Sequence, residues 1–336
     1  MADSQGASVG LRLNIGLALA LCVVFVLALG AGDTDVDLIS AISDWWRGEL
    51  SSDAIILVEI RLPRTLAALM VGAVLGTAGA AMQGMLRNPL AEPGLVGASN
   101  CAALGAVLVF YFGLASMQSV LLPLASISGA VLALLILRLL VGSYARVSTL
   151  ILAGIALNAF AGAAISLALN LAPSPYAMYE IMYWLMGSVA NRSLPELRFV
   201  APFMLLSLLL LISARRYFDA LALGEDTAHS LGFGSARLPW QVMSGVAIGV
   251  GAAVAISGSI AFVGLVVPHL LRPLVSQQPG RLLFPSMFGG ALLVLLADAL
   301  VQSLSNATEL KLGVVTALLG APFFLLLVMR GRERLL

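Results

Sequence analysis

Lysine is almost missing from this sequence. Among 336 residues only Lys311 occurs, and Leu312 follows it, so the chain has no G-x-x-x-x-G-K-[ST] phosphate loop and cannot be its own P-loop ATPase. Histidine and cysteine are nearly as scarce. His229, His269, Cys22 and Cys101 lie far apart and offer no metal-ligand spacing. Both cysteines fall in apolar stretches and read as free, buried thiols. Charge is thin throughout: charged residues make up 10% of the chain, against about 25% in a soluble domain. The formal net charge of +1 excludes nucleic acid as a partner.

In place of charge there is apolar surface. Hydrophobic residues reach 60% and the mean hydropathy is +1.03, too apolar for a globule that must face water. At about 20 residues per membrane helix, the chain has room for roughly ten crossings. Apolar segments run near 12–31, 65–86, 95–112, 118–141, 147–169, 197–214, 239–257, 259–271, 283–304 and 312–329. This predicts an all-α polytopic membrane protein, a single transmembrane domain over 1–336 with about ten spans. The first segment lacks a small-residue cleavage site and reads as a retained span, not a signal peptide.

With ten spans both termini share one side, and basic residues choose it. Cytoplasmic termini give that side Arg12, Arg87, Arg138, Arg146, Arg215, Arg216, Arg237, Arg272, Arg281, Arg330, Arg332 and Arg334, twelve in all. The opposite side receives six: Arg47, Arg61, Arg64, Arg192, Arg198 and Lys311. A two-to-one bias favours cytoplasmic termini.

Segments 95–112 and 259–271 are short or broken by glycine, and each falls second in a block of four, 65–169 and 239–329. The blocks begin on opposite sides of the membrane. Short segments at matching places in inverted halves point to a transport pathway; wandering segment boundaries would produce the same pattern by accident. Glycine pairs at small-xxx-small spacing, Gly72 with Gly76 and Gly245 with Gly249, suit close helix packing inside the bundle more than a dimer seam.

Three stretches are too polar for their positions. Arg87–Gly94 ends one helix in a proline-rigid turn and presents Asn88 and Glu92 at the mouth of a short span, as a gate would; an ordinary connecting loop needs only the turn. Asp219–Gly232 holds acids and no base, and its run from Leu223 to Leu231 suits one or two short helices broken at Gly224 and ended at Gly232. A helix resting on lipid is usually basic, so a docking element for another protein fits this acidic one better. Arg61-Leu62-Pro63-Arg64 lies just outside the second span, where it either anchors a helix end by snorkelling or offers a basic spot to an acidic partner. Asp298 is the one carboxylate well inside an apolar segment, a functional candidate by default. Its place near the external end of the span favours a structural hydrogen bond.

Together these stretches resemble the FecCD-type permeases, membrane subunits of binding-protein-dependent ABC importers for ferric siderophores, haem and cobalamin. The matching residues are Arg61–Arg64 (RLPR), Gly84–Gly97 (GMLRNPLAEPGLVG), Tyr183–Ser188 (YWLMGS), Leu221–Gly232 (LALGEDTAHSLG), Ile260–Leu271 (IAFVGLVVPHLL) and Leu312–Phe323 (LGVVTALLGAPF). The resemblance covers about residue 55 to the C-terminus and implies a type II ABC importer permease in the bacterial inner membrane. Its implied partners are a second copy of the chain, a pair of ATP-binding cassette subunits, a periplasmic substrate-binding protein and membrane lipid. No cofactor is implied on this chain, since ATP and magnesium would sit on the partner subunit. Leu223, Gly224, Glu225, Asp226, Thr227, Ala228, His229, Ser230, Leu231 and Gly232 match the coupling helices, within about 219–232. Asn88, Leu90, Ser148 and Thr149 match the cytoplasmic gate. Arg61 and Arg64 match residues that receive acids of the binding protein. Some members carry a further arginine one turn past Asp298; here that place is Gln302, which puts the third docking contact in doubt.

A ferric siderophore is the first substrate expected, with haem and cobalamin behind it. A carrier coupled to protons or sodium is the reading from another class, and it would depend on Asp298. A membrane-embedded enzyme lacks any acid, base or metal constellation.

Overall fold

The computed structural model describes residues 2–32, 34–114, 120–142, 147–233, 237–304 and 310–333, and every regular element among them is helical. In chain order these are α1 (Ala2–Gly30), α2 (Leu38–Arg47), α3 (Ser52–Ile55), a π-helical turn (Ile56–Arg61), α4 (Leu62–Met85), α5 (Ala98–Tyr111), α6 (Leu121–Val141), α7 (Val147–Asn170), α8 (Pro175–Leu185), α9 (Leu194–Ser213), α10 (Arg215–Ala222), α11 (Glu225–Ser230), α12 (Arg237–Ser257), α13 (Val263–Leu271), α14 (Pro279–Leu304) and α15 (Leu312–Glu333). Among the described residues, seven helical stretches are long and apolar enough to cross a membrane, and α5, α13 and α15 contribute shorter apolar helices. Each of the ten apolar segments read from the sequence contains one of these helices. The chain is a multi-pass membrane protein.

The centre of the bundle is α4, whose face is built from glycine and alanine. A methyl group added at Gly72 would run into the carbonyl of Gly290, and one at Gly76 into that of Ser286, so α4 and α14 touch backbone to backbone. Gly245 and Gly249 instead make room for side chains of α9, Leu210 and Leu211 at the first and Ser207 at the second, and the Ser207 hydroxyl donates to the Gly245 carbonyl at 2.7 Å. Both glycine pairs therefore serve packing within one chain. Lipid gives apolar helices no reason to associate, so close van der Waals approach and interhelical hydrogen bonds must do so.

The two blocks of four helices pack reciprocally. α4 lies along α14 and against α13, while α12 lies along α6 and against α5; α4 and α12 meet between them. Outside this core, α1 leans on α14 and leaves most of its described side chains exposed, Cys22 among them. The sequence reading had buried that thiol; Cys101 on α5 is half-buried.

The second helix of each block falls short for a physical reason. α5 has 14 residues and α13 has 9, about 21 Å and 14 Å of helix, neither enough for a crossing. Gly79 of α4 touches the backbone of Gly264 at the start of α13. A Cβ on Gly264 would also lie 2.9 Å from the Leu75 carbonyl and 3.1 Å from Pro93. Leu75 stands ten residues inside the end of α4 at Met85, about 15 Å by helical rise. The stretch Pro93–Val96, a single 3-10 turn, therefore re-enters to the middle of the bundle. The sequence reading had placed all of Arg87–Gly94 in a surface loop.

Candidate functional site

Polar side chains gather at both ends of α4. At the Met85 end, α10 and α11 form an elbow. Gly224 separates them with φ 115°, a backbone conformation that side-chain-bearing residues rarely adopt. α10 is anchored from beneath: Phe218 is fully buried and faces Gly84 of α4, and Tyr217 packs on Phe233 with ring centroids 6.3 Å apart. The Asp219 carboxylate accepts the Gly280 N–H at 2.8 Å, satisfying one of the unpaired donors at the start of α14. α11 is the outer arm. Glu225, Asp226, Thr227, His229 and Ser230 are exposed, Leu223 and Leu231 flank them as exposed apolar residues, and only Ala228 turns inward.

The loop after α4 reaches the same place. Arg87, with φ 48°, extends to Glu225 in an ion pair of 3.4 Å. Both partners are exposed, so the pair fixes position more than it stabilises. Asn88 folds its loop locally, its side-chain oxygen accepting the Leu90 N–H at 2.9 Å. Asn88 and Leu90 are exposed. Thr149 is exposed in the first turn of α7, and Ser148 lies there too, its side chain outside the described residues. Met85 and Leu86 of α4, Leu150 of α7, and Tyr217, Glu225 and His229 of the elbow line one cavity of about 110 Å³. Of the expected coupling residues, Glu225, Ala228 and His229 line it, and on the side of the expected gate the lining is Leu86 and Leu150. Burial first, then the nearby Glu225 carboxylate, raises the Tyr217 hydroxyl above its usual range, with Arg87 opposing.

Of two polar features inside the bundle, Gln83 was missed in sequence and Glu92 was read at the mouth of the short span. Gln83 is buried in α4; its amide donates to the Leu265 carbonyl at 3.3 Å and its oxygen accepts from Arg272 at 2.6 Å, tying α4 to both ends of α13. Glu92 sits beside Pro93 at mid-depth, in a cavity of about 250 Å³ also lined by Ser99, Asn100, Asn158 and Ser259. The short span that follows it was the signal available: a helix beginning at Ala98 cannot cross alone, so its preceding loop had to travel inward. Among the described residues no three histidine, cysteine or acidic side chains come close enough to hold a metal ion.

At the opposite end, the two arginines of RLPR take different partners. Arg61 is 6% exposed. It donates through Nη1 to the carbonyls of Leu29 and Gly30, at 3.0 Å each, and through Nη2 to that of Thr34. It closes the C-terminus of α1, where unpaired carbonyls and the helix dipole favour a cation. Its donors are committed inside the chain. The π-helical turn that ends at Arg61 is a one-residue irregularity of a kind common at specialised positions. Arg64 makes a two-pronged pair with Asp298, Nε to Oδ2 and Nη2 to Oδ1, both at 2.9 Å, and Gln302 donates to the same carboxylate at 2.9 Å. Asp298 is buried, and its side chain is spent on structure, the role favoured for it; Arg64 keeps part of its surface exposed. Lys311 is buried with its Nζ 3.4 Å from the centre of the Tyr183 ring, joining α15 to α8. The Tyr183–Ser188 motif continues from there into the bundle. The Ser188 N–H donates to Ser257 at 2.7 Å and the Gly187 carbonyl accepts from Gly313 at 3.2 Å.

Arg61→Ala is expected to lower thermal stability by about 1–3 kcal/mol, the cost of leaving buried carbonyls unpaired. Arg61→Lys should recover only part of it, since one ammonium cannot span three acceptors as the planar fork does. Unfolding in detergent, followed by circular dichroism, measures both.

Known proteins are similar to this chain over most of its length. YvrB of Bacillus subtilis, an uncharacterised ABC transporter permease protein, is 40% identical over 280 residues, covering 82% of this chain and 79% of that one. The hemin transport system permease HmuU of Yersinia pestis is 38% identical over 283 residues, 83% of this chain and 84% of its own. The vitamin B12 import permease BtuC of Vibrio cholerae is 41% identical over 283 residues, 82% and 83% respectively. A solved structure described as a metal-chelate type ABC transporter in an inward-facing conformation matches with a TM-score of 0.85 at 34% identity, over 95% of this chain and 99% of that one. The model of the FecCD transport family matches residues 20–330, and with helices, motifs and relatives in agreement, the chain belongs to that family.

Proposed function

We propose that the chain is the permease subunit of an ABC importer that moves a metal chelate, a ferric siderophore first among the candidates, into the cytoplasm of a bacterium across its inner membrane. Ten crossings with both termini cytoplasmic put α11 on the cytoplasmic side. A separate pair of ATP-binding subunits grips α11 there, two copies of the permease enclose the pathway, and a periplasmic binding protein delivers the cargo. Haem and cobalamin are alternative cargoes on the same machinery, in keeping with relatives named for hemin and vitamin B12.

The observation that carries this reading is the elbow. α11 is a short, exposed, acidic helix flanked by Leu223 and Leu231, and it stands on an α10 braced against α4 and α14. A helix with nothing to grip would not need such bracing. Movement imposed on α11 passes through Phe218 and Asp219 to the central helix pair, and through Glu225 and Arg87 to the Asn88–Leu90 loop. That is the coupling of a motor to a gate, in which two packings of one bundle exchange. The reciprocal contacts of α4 with α14 and of α12 with α6 support the inverted repeat of 65–169 and 239–329, and hence two halves that move against each other. The apolar faces left open on α7 (Leu152, Phe160) and α15 (Leu318, Leu319) are consistent with a second copy. Docking of the binding protein falls to the arginines of RLPR, of which Arg64 keeps part of its surface exposed.

Replacing Leu223–Leu231 with a scrambled sequence is expected to abolish co-purification of the ATP-binding subunits and ATP-driven uptake, while the bundle still folds. Undiminished association would remove the coupling assignment.

A further inference from the structure

The segment that joins α1 to α4 carries a helix whose outward face has no partner among the described residues. α2 is a well-formed helix. The Asp37 side chain accepts the Ile39 N–H at 3.1 Å and the Ser40 hydroxyl at 2.7 Å, and Gly48 closes the other end with φ 75°. Ala41 is fully buried beneath it, the Asp37 N–H donates to the Asp53 carboxylate at 3.2 Å, and Leu38 rests against Gly30 at the end of α1. The helix is therefore fixed to the bundle by its inner face.

The outer face is apolar. Ile39 and Trp46 are each 83% exposed, with Ile42 and Trp45 between them also exposed, and Leu50 follows beyond Gly48. The spacing of three, four and seven residues makes one stripe. Water is a poor occupant for it, since contiguous exposed apolar surface on a protein marks an interaction site.

The stripe follows a span that is itself exposed along one flank. Along α1, Leu11, Ile15, Leu19, Val23 and Leu27 are all exposed, as expected of a span on the outside of the bundle. Leu38 touches the last residue of α1, so α2 lies where that lipid-facing flank meets the membrane boundary. Two adjacent tryptophans are suited to that depth, because an indole places its apolar body in acyl chains and its N–H among headgroups. The surrounding charge selects the lipid. Asp35, Asp37, Asp44, Glu49 and Asp53 outnumber the single Arg47, so an anionic headgroup would be repelled and apolar area must hold the helix.

We propose that α2 is an interfacial anchor, its Ile39–Ile42–Trp45–Trp46 stripe seated in the headgroup region of a zwitterionic phospholipid leaflet and holding the α1–α4 connection at a fixed depth.

The test uses the full chain in phosphatidylcholine nanodiscs. Emission of Trp45 and Trp46 is taken as the difference between the wild type and Trp45→Phe/Trp46→Phe, since Trp184 and Trp240 remain in both. Phosphatidylcholine brominated near the headgroup end of its acyl chains is expected to quench more than half of that difference, and aqueous iodide only a minor share. In a Cys22→Ser/Cys101→Ser background, a nitroxide on Ile39→Cys should relax faster with oxygen than with a water-soluble nickel chelate. Ile39 is so exposed that this label reads the position even if the tryptophan variant folds poorly. Iodide quenching with no lipid quenching would overturn the proposal. So would shielding that appears only with two permease copies per disc, which assigns the stripe to a second chain, or only on adding a periplasmic binding protein.

Discussion

Gly79→Val should leave no folded permease. The backbone of Gly79 touches that of Gly264 where α4 crosses α13, and even a Cβ at Gly79 would overlap the Gly264 carbonyl. Neither helix can withdraw. α4 is held a few residues away by the same kind of contact at Gly72 and Gly76 with α14, and α13 is tied back to α4 through Gln83 and Leu265. An extra methylene in a packed core costs about 1–3 kcal/mol when side chains can give way; here the obstacle is main chain, and three carbons are added. Against a total stability of roughly 5–15 kcal/mol, the bundle should not survive. The variant is expected to yield aggregated protein on detergent extraction, while Gly79→Ala gives folded protein that melts at lower temperature. Gly16→Val, on α1 with nothing near a Cβ, should behave as wild type. Normal melting of Gly79→Val would mean that α4 and α13 do not meet in this way.

The difference between those glycines also marks what a single sequence can disclose. Gly72 with Gly76 and Gly245 with Gly249 carried a spacing, and the spacing predicted internal packing. Gly79 and Gly264 are 185 positions apart by the numbering, and no local pattern links them. The helices followed from hydrophobic runs because lipid requires long apolar segments. The elbow at α10 and α11 followed from an acidic run with a glycine at each end. α2 and α8 were passed over as loops, though Asp37 with Gly48 and Ser174 with Pro175 are ordinary start and stop signals; hydropathy had drawn attention away from caps. Arg61 was visible as a charge near a span, but its acceptors lie 27 to 32 residues upstream, and only the folded chain brings them to it. Glu92 was misplaced in depth because a proline-rich turn was taken to stay at the surface.

These residues form one mechanical path. The tight α4–α14 pair runs the length of the bundle. At one end α10 rests on it through Phe218 and Asp219, and at the other Arg64 of α4 holds Asp298 of α14. Glycine contacts between helices leave no soft side chains to absorb a displacement, so a push on the elbow is carried along the pair instead of dissipating into it.

Arg64→Ala is expected to be the most damaging substitution of a polar residue at the end away from the elbow. It would leave the Asp298 carboxylate buried with only Gln302 beside it. Removing one partner of a fully buried pair costs about 3–5 kcal/mol; because Arg64 is partly exposed, a loss of about 2–3 kcal/mol is the appropriate expectation. Asp298→Asn should cost less, since the arginine it abandons can turn to water. The double variant Arg64→Leu/Asp298→Leu should recover much of the stability, because apolar packing replaces a buried ion pair without penalty in many proteins. Thermal unfolding of the wild type, Arg64→Leu, Asp298→Leu and the double leucine variant closes a cycle and gives the coupling energy directly. Uptake then separates the two transport classes. An importer driven from the elbow needs Asp298 only to hold Arg64, so Asp298→Asn should keep ATP-driven uptake within a small factor of wild type. A carrier using Asp298 as its proton or sodium site would lose transport altogether in that variant, and would move cargo with no ATP-binding subunit present.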